Sequence, residues 1–377
     1  MTMRIFAAHV PTRVRRRPTW LPAVAALLAV LWTTQTAPAR ASSLEEQETR
    51  TVKVTSETKI YVKNARGKTI IVGRKDANAV TIQASKFVRA RDEETAARWM
   101  KELGFTTEAD SGQVSVILHH PKRMEEGENF WTFIRRISDR SYIDLTIEVP
   151  AAFDAKVSST SGDIEITSLE GSVKLFGSSG DVLLKGIGGT ALVELSSGNV
   201  DANAIGKDLH IHMSSGHAFA RGIGGVVAVQ GTSGDAEIHD VGGDTNVDLS
   251  SGDVVLEGCR GSVSATTYSG DIGISDVAGA VNASTGSGDI EVTLTPVGAK
   301  ENRLESASGD VIVSFHTPAG YGFALEVHTG TGSIEGDLDI KLDEISRKVL
   351  KGIVGSGEGR VSIETANGDI RISQIGK

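Results

Sequence analysis

Carboxylates recur along the chain at one interval and in one kind of turn, an arrangement that could hold calcium ions. Eight copies of a Ser-Gly pair follow each other in steps of 18 residues, and aspartate follows the pair in six of them. These aspartates are Asp163, Asp181, Asp235, Asp253, Asp271 and Asp289. Calcium prefers carboxylate and carbonyl oxygens, and nonapeptide rolls hold it with Gly-Gly-x-Gly-x-Asp turns. A stacked row of these aspartates is therefore a candidate calcium ladder.

The turns favour a simpler role for the aspartate row. They lack the flanking Gly-x-Asp set of the nonapeptide rolls, and Asn199 and His217 interrupt the row. Carboxylates on strands about 4.8 Å apart repel each other, so each one needs a compensating bond. We expect each carboxylate to accept a backbone N–H of its own turn. On this interpretation the chain holds no metal and no other cofactor.

The repeated serines and four histidines do not predict catalysis. Serine precedes the glycine in every copy, and a hydroxyl at each corner is expected to bond its turn rather than to act as a nucleophile. The histidines come from three successive repeats and are His210, His212, His217 and His239. The first two alternate with apolar residues, which predicts outward side chains. For all four we expect a solvated strand face, and a metal site formed by their approach on one face is the alternative.

Enzymatic activity is the next hypothesis, because some stacked β-helices cleave acidic polysaccharides with carboxylates and basic side chains. Such a site breaks the repeat in one place, whereas the outward positions here are mostly small or mixed. The Gly-x-Gly strings at 186–189 and 222–225 lie at repeat corners and do not open a helix, so they do not predict a nucleotide site. We expect a protein that is not an enzyme. The alternative, a carbohydrate-binding or polysaccharide-cleaving β-helix, requires a groove that gathers carboxylates with Arg or Lys from several coils.

Aromatic residues cluster in residues 121–140, in a chain that is only 5% aromatic. Phe130, Trp131 and Phe133 stand there among charged residues, a pattern that fits a contact loop for a partner or a membrane face. The alternative is an insertion that folds its aromatic side chains onto the coil. We name these three residues as candidate partner contacts.

These side chains are positioned by an 18-residue unit. The sequence of this unit predicts two strands and two corners. Its corner glycines are Gly162, Gly180, Gly198, Gly216, Gly234, Gly252, Gly270 and Gly288. Apolar residues stand two and four positions after the glycine, as in Ile164 and Ile166, and again at eleven and thirteen, as in Val173 and Leu175. This alternation is typical of half-buried strands. A second glycine stands at nine in six units, and we expect both glycines where the backbone turns through positive φ.

A coil that stacks on itself fits this unit better than a long antiparallel meander. The meander would leave one wide apolar face uncovered, and twisted open sheets rarely exceed about ten strands. We predict an all-β fold, a parallel β-solenoid of the right-handed single-stranded β-helix type, with 18 residues per coil. A left-handed coil of three hexapeptides is the alternative, but the apolar spacing is not six. We expect roughly ten or more coils.

The chain divides into three parts in this interpretation. Residues 1–41 form a signal peptide, residues 42–150 form a capping region with irregular coils, and residues 151–377 form the regular solenoid with looser C-terminal coils. A helix is expected over 92–103, with Asp92 as its N-cap. Its apolar face contains Ala96, Trp99, Met100 and Leu103. Capping is expected because the end of a solenoid exposes strand edges.

The looser C-terminal part contains one segment, from Lys341 to Leu350, that we expect to leave the coil with helical character. The single cysteine, Cys259, excludes an internal disulfide. Because it takes the place of the lone aliphatic residue seven positions after the corner glycine, we expect it to be a small buried hydrophobic residue.

Residues 1–41 predict export. A basic start precedes an apolar run from Leu21 to Trp32, and a small-x-small cleavage pattern ends at Ala41. The apolar run is too short to span a membrane, and we expect no integral span in the mature chain. The segment holds six of the 39 basic residues and none of the 48 acidic ones, which leaves a net charge of −15 in the remainder. An acidic exported chain is a poor candidate for binding nucleic acid.

The motifs also resemble a known family. They run from Ile147-Glu-Val-Pro150 through Val157-Ser-Ser-Thr-Ser-Gly-Asp-Ile164 to Thr365-Ala-Asn-Gly-Asp-Ile370. This series resembles the bacterial β-strand-repeat family of unknown function whose members are described as candidate adhesins. The resemblance covers roughly residues 52–373 and offers no catalytic residues to transfer. It implies an exported β-solenoid, periplasmic, on the cell surface or secreted, with an envelope protein or a glycan as partner.

Overall fold

The computed structural model describes residues 42–54, 58–110, 112–121, 140–296 and 298–375. These residues belong to one compact unit, Arg40–Lys377. Their strands form one sheet of 15 strands and one of 16 strands, called here the first and second sheets. The signal-like segment and the candidate contacts Phe130, Trp131 and Phe133 lie outside the described residues. The predicted all-β solenoid is confirmed.

The N-terminal part has seven strands and a helix. They are β1 (Ser42–Lys53), β2 (Lys59–Arg66), β3 (Thr69–Arg74), β4 (Ala79–Ala90), α1 (Glu93–Glu102), β5 (Gly104–Asp110), β6 (Gln113–His119) and β7 (Arg140–Pro150). The first sheet starts with the antiparallel strands β1, β4 and β7. The expected helix is confirmed, because the Asp92 carboxylate accepts the Thr95 N–H at 2.7 Å and Trp99 is buried. The helix packs on β1 and β4 at this end of the core.

The regular repeat contributes nine strands to each sheet. Those of the second sheet are β8 (Asp154–Ser161), β10 (Val173–Ser179), β12 (Ala191–Ser197), β14 (Leu209–Ser215), β16 (Val227–Ser233), β18 (Thr245–Ser251), β20 (Val263–Ser269), β22 (Val281–Ser287) and β24 (Glu301–Ser308). Those of the first sheet are β9 (Ile164–Leu169), β11 (Val182–Ile187), β13 (Val200–Ile205), β15 (Ala218–Ile223), β17 (Ala236–Val241), β19 (Val254–Cys259), β21 (Ile272–Val277), β23 (Ile290–Leu294) and β25 (Val311–His316).

Neighbouring coils pair in parallel with the predicted step. Val182 lies beside Val200 in the first sheet, and Val173 lies beside Ala191 in the second. The inward positions form one continuous apolar core, which includes Cys259 as expected. Burial raises the pKa of the Cys259 thiol, which accepts a hydrogen bond from the Thr245 hydroxyl at 3.6 Å. The constant 18-residue step keeps the apolar side chains inside, because a shift of the pairing by one residue would turn all of them outward.

Each coil has two corners that differ in backbone conformation. At the first corner, Ser-Gly-Asp, the glycines have φ between +119° (Gly180) and +151° (Gly288), as predicted. The second glycine of the unit does not have positive φ, so that part of the prediction is wrong. It is needed for close stacking instead, since a Cβ at Gly189 would lie 2.7 Å from the Gly171 carbonyl.

The positive φ next to the second corner falls six residues after the first-corner glycine, at the last-but-one residue of the first-sheet strand. Glycine alternates there with other residues along the stack. The glycines are Gly186, Gly222 and Gly258, and the other residues are Ser168, Ala204, Asp240 and Asp276, with φ between +52° and +60°. This position therefore tolerates a side chain, whereas the first-corner position holds glycine in every regular repeat.

The C-terminal strands do not stack in chain order. They are β26 (Phe323–Thr329), β27 (Ile334–Asp337), β28 (Lys341–Ile345), β29 (Val349–Val354), β30 (Gly359–Asn367) and β31 (Ile370–Ile375). The last two return to the coil, with β30 between β24 and β26 and β31 between β25 and β27. Counted with β2 and β3, twelve coils have one strand in each sheet, in agreement with the predicted ten or more.

The prediction of helical character for residues 341–350 is wrong. This segment forms strand β28, the turn and the start of β29, and β29 pairs antiparallel with β26. The exposed edge of β26 supplies backbone partners for β29, and these outweigh the weak helical tendency of the segment. Within the described ranges, no helix is long and apolar enough to cross a membrane.

Candidate functional site

The predicted aspartate row exists and is bonded between coils. Asp163 Oδ1 accepts the backbone N–H of Asp181 at 3.1 Å, and Asp253 Oδ1 accepts that of Asp271 at 2.8 Å. Asn199 takes the same role for the next coil, at 3.0 Å from the His217 nitrogen. The expectation that each carboxylate bonds within its own turn is wrong. Stacking places the N–H of the next turn over the carboxylate, so the row ties each coil to its neighbour.

These bonds explain the row without a bound ion. One oxygen of each bonded carboxylate faces an N–H donor, which offsets part of the repulsion between neighbours. In the part of the chain that the structure describes, no group of three or more His, Cys, Asp and Glu side chains could hold a metal ion. The row is therefore best explained as a structural ladder.

The four histidines do not form one cluster, although His217 and His239 both contact Glu237, at 3.9 and 2.8 Å. His210 and His212 lie on β14 in the second sheet with outward side chains, as expected, whereas His239 lies on β17 in the first sheet. For His239 the expectation of a solvated face is wrong, since it is only 8% exposed. Its ring nitrogens lie 3.1 Å from Glu257 Oε2 and 2.8 Å from Glu237 Oε1. The sequence does not show that an imidazole on an outward strand face is buried between two carboxylates.

A groove runs across the outer side of the second sheet, from β10 to β30. We call it the polar groove. It consists of two adjoining hollows of about 770 and 630 Å³ that share Asp248 and Ser250. The first is lined by Gly177, Glu194, Leu195, Ser196, His212, Met213, Ser214, Gln230, Gly231, Thr232, Asp248 and Ser250. The second is lined by Asp248, Leu249, Ser250, Thr266, Thr267, Tyr268, Ser284, Thr285, Gly286, Glu305, Ser306, Ala307, Glu364 and Ala366.

One position of the repeat supplies the centre of the polar groove. Four residues before its corner glycine, each coil from β12 onward places one polar side chain directly beside that of the next coil, whereas β10 has Phe176 at this position. This central row is Glu194, His212, Gln230, Asp248, Thr266, Ser284, Glu305 and Glu364. Successive members lie about 4.8 Å apart along the stack. The row therefore offers a regular series of hydrogen-bonding groups in one line.

The floor of the polar groove is uneven because glycines lie next to larger residues at the position beside the central row. A Cβ at Gly177 would lie 2.7 Å from a methyl group of Leu195, and a Cβ at Gly231 would lie 2.8 Å from one of Leu249. The leucine side chains thus occupy the space that the glycines leave. Small hydroxyl residues occupy the position two residues after the central row in several coils, among them Ser196, Ser214, Thr232 and Ser250.

Tyr268 is the aromatic residue of this outer hydroxyl row. Its side chain is 75% exposed. The neighbouring coil has Gly286 at the equivalent position, and a Cβ there would lie 3.3 Å from the tyrosine ring. The ring therefore leans over a glycine and presents one face to solvent beside the polar groove.

Carboxylates occur at every third step of the central row, at Glu194, Asp248 and Glu305. The Arg303 guanidinium donates a hydrogen bond to Glu305. Glu364 lies beside Glu305 and 3.9 Å from His328 Nδ1. Carboxylates thus lie at Glu194, at Asp248 and at the adjacent pair Glu305 and Glu364, with imidazole, amide and hydroxyl groups in the steps between.

Sequence reasoning did not identify the polar groove. The outward positions were described as small or mixed, because no single residue type repeats along the central row. A signal was present in the register, since the position four residues before the corner glycine is polar in every coil from Glu194 to Glu305. The concave shape could not be inferred, because it depends on how the leucine side chains pack into the space beside the glycines.

Comparison with known proteins places this fold in a described family. The family model Toastrack DUF4097 matches residues 33–222 and again residues 193–373. No curated protein matches the chain. Among solved structures, the chain is similar to a candidate cell adhesion protein from Clostridium sporogenes, with 10% identity, 88% of this chain and 100% of the other covered, and a TM-score of 0.20.

Two further solved structures come from Parabacteroides distasonis. One is a candidate lipid binding protein, with 13% identity, 86% of this chain and 96% of the other covered, and a TM-score of 0.29. The other is a candidate adhesin, with 9% identity, 88% and 97% coverage, and a TM-score of 0.32. The two family matches together span nearly all of residues 33–373, so the chain belongs to the Toastrack DUF4097 family.

Proposed function

We propose that the protein is an exported, non-enzymatic scaffold of the cell envelope that binds a neutral glycan chain along the polar groove. The observation that carries this proposal is the central row, which repeats one polar side chain per coil from Glu194 to Glu364. A long polymer with a repeating unit can use such a row, whereas a small ligand would need an enclosed pocket. Export is supported by the pattern of residues 1–41.

The side chains of the polar groove favour a neutral glycan over charged polymers. Carboxylate, amide and hydroxyl groups accept and donate hydrogen bonds to sugar hydroxyls. The exposed ring of Tyr268 supplies an apolar face on which a sugar ring can pack. Carboxylates at Glu194 and Asp248 repel an acidic polysaccharide. A basic peptide is less favoured, because three steps of the row, about 14 Å, separate Glu194 from Asp248 and Asp248 from Glu305, and only Glu305 and Glu364 are adjacent.

Cleavage of the glycan is the second candidate function. It is supported by one observation, the adjacent carboxylates Glu305 and Glu364 with Arg303 beside them. A glycosidase needs one carboxyl group that is kept protonated by an apolar environment. The polar surroundings of both groups favour binding without cleavage. Release of reducing ends from a polymer, abolished by Glu305→Gln, would instead support the enzyme.

Glycan binding is tested by calorimetric titration with neutral, acidic and basic polymers. We expect binding of neutral oligosaccharides long enough to span several coils, and an affinity about tenfold lower for Tyr268→Ala and for Asp248→Ala. Val255→Ala is the matched control, because Val255 is exposed on the first sheet, away from the groove. Binding of basic peptides alone, or equal affinity in all variants, would contradict the proposal.

Export is tested separately by cell fractionation. The full chain is expected outside the cytoplasm, and a variant without residues 1–41 is expected to remain inside. An unchanged distribution of the truncated protein would refute an export role for this segment.

A further inference from the structure

We infer that the C-terminal end of the coil is a self-association surface, at which strand β28 pairs with β28 of a second copy. This inference is independent of the proposed glycan binding. The end of a solenoid is a natural place for association, because its last strands have unpaired backbone groups. The two ends of this coil differ in how these groups and the apolar core are covered.

At the N-terminal end the chain itself covers the apolar core, although β5 is the edge strand of the second sheet there. Helix α1 packs on β1 and β4 and buries Trp99 and Leu103 in the common core. The C-terminal edge of the second sheet has no such cover among the described residues. All five residues of β28 are exposed, including Leu342 at 46% and Ile345 at 66%.

The exposed apolar side chains of β28 point to the core side of the sheet. Leu342 pairs with Gly352, and Ile345 pairs with Leu350. Gly352 and Leu350 pair in turn with the buried residues of β26. Paired residues on neighbouring strands point to the same face. Leu342 and Ile345 therefore continue the inner apolar surface beyond the last coil, where no described residue covers them.

The sequence of β28 is complementary to itself in antiparallel pairing. A twofold axis between Leu342 and Asp343 places Lys341 of each copy opposite Glu344 of the other, and Ile340 opposite Ile345. Lys341 and Glu344 pair with the outward residues Ile353 and Lys351, so both point outward. The arrangement thus joins opposite charges on the outer face and apolar side chains on the inner face.

The irregularity in β28 fits the same register. The pairing of β28 with β29 shifts between Leu342 and Glu344, so Asp343 has no partner in the ladder. Such bulges often protect an edge against pairing with unrelated strands. In this register Asp343 of each copy stands opposite Leu342 of the other, so the two carboxylates do not face each other directly.

A second copy explains the end better than another occupant does. Head-to-tail stacking would bring β28 of one molecule against β5, the other edge strand of the second sheet, in the next molecule, and such a contact does not close after two copies. An isologous contact uses the same uncovered edge twice and closes after two copies. The twofold axis is perpendicular to the second sheet, so both polar grooves lie on the same side of the dimer.

The self-association is tested by sedimentation of the purified protein over a range of concentrations. We expect a reversible dimer, and at least a tenfold weaker one for Ile345→Lys, which puts a charge on the apolar inner face. Val255→Lys is the matched control, since Val255 is a 45% exposed residue of the first sheet, and it is expected to leave the dimer unchanged. Thermal unfolding verifies that each variant is folded.

A charge exchange tests the register itself. Lys341→Glu alone is expected to weaken the dimer, and the double variant Lys341→Glu with Glu344→Lys is expected to restore it. A protein that is monomeric at every concentration, or a dimer that Ile345→Lys leaves unchanged, would overturn the inference. A dimer that Lys341→Glu weakens and that the double variant does not restore would overturn the proposed register.

Discussion

The two corners of each coil both carry the chain from one sheet to the other, yet they leave very different room for side chains. At the first corner a Cβ on Gly234 would lie 1.7 Å from the carbonyl oxygen of Gly216. At the second corner a Cβ on Gly222 would find its nearest neighbour, the Ala204 nitrogen, at 3.8 Å. Both glycines have positive φ, +122° and +69°. Close stacking, and not the sign of φ alone, therefore explains why the first corner holds only glycine.

The largest effect is expected from Gly234→Ala. The new methyl group would overlap the backbone of the coil below, and the first-corner φ is strained for any residue with a Cβ. We expect a loss of about 3 kcal/mol or more in stability, measured as a shift of the urea unfolding midpoint. Local hydrogen exchange should rise first in the two coils that meet at Gly216 and Gly234. Unchanged protection there would mean that the corners are not in close contact.

A smaller effect is expected when a ladder bond of the first corner is removed by Asp253→Ala. The backbone N–H of Asp271 then loses its acceptor, which costs about 1 kcal/mol. Asp253→Asn is the control, because an amide oxygen accepts the same bond, as Asn199 does for His217. Urea unfolding of both variants separates the bond from the charge. If Asp253→Asn were as destabilising as Asp253→Ala, the negative charge and not the N–H bond would stabilise the row.

Gly222→Ala should have less effect still, and it makes the comparison between the corners direct. Ala204 already occupies the equivalent position with φ +56°, so alanine can adopt this backbone. The left-handed conformation costs about 1 kcal/mol, and the lower entropy of the unfolded chain offsets about half of it. We expect a change within about 0.5 kcal/mol. A loss as large as that of Gly234→Ala would show that positive φ alone dominates at both corners.

The regular coils could be predicted from the sequence because their apolar residues have two constraints at once. Val182 and Leu184 must face inward, and the backbone must turn at the glycine that precedes them. A step of 18 residues satisfies both constraints in every coil. The stacking order at the C-terminal end could not be predicted. Asp369 bonds to Asp310, although 59 residues separate them, because β30 and β31 return to the coil after the hairpin. Strand patterns specify which face is buried but not which strand is the neighbour.

The candidate site was less predictable than the fold. Outward residues such as Gln230 and Thr266 have no periodic apolar signal, and their grouping depends on the curvature of the second sheet. His239 illustrates the same limit in the first sheet, since its burial arises from neighbours in the adjoining coils. Residues 122–139, where the aromatic contacts were predicted, keep that role as a prediction.

The smallest effect concerns the last rung of the first-corner row, where two donors replace one. The N–H and the hydroxyl of Ser333 both donate to Asp369 Oδ1, at 2.8 and 2.9 Å, and these bonds lower the pKa of the Asp369 carboxyl. A carboxyl whose pKa is lower in the folded state stabilises the fold above its unfolded pKa, and this contribution is lost as the pH falls through the folded pKa. Asp369→Asn should therefore be less stable than the wild type at neutral pH, and the difference should disappear in acid. Urea unfolding at both pH values measures this, and Asp253→Asn, at a rung with a single donor, is the matched control. A difference that persists in acid would mean that Asp369 acts through its shape and not through its charge, and that the last rung does not differ from the others.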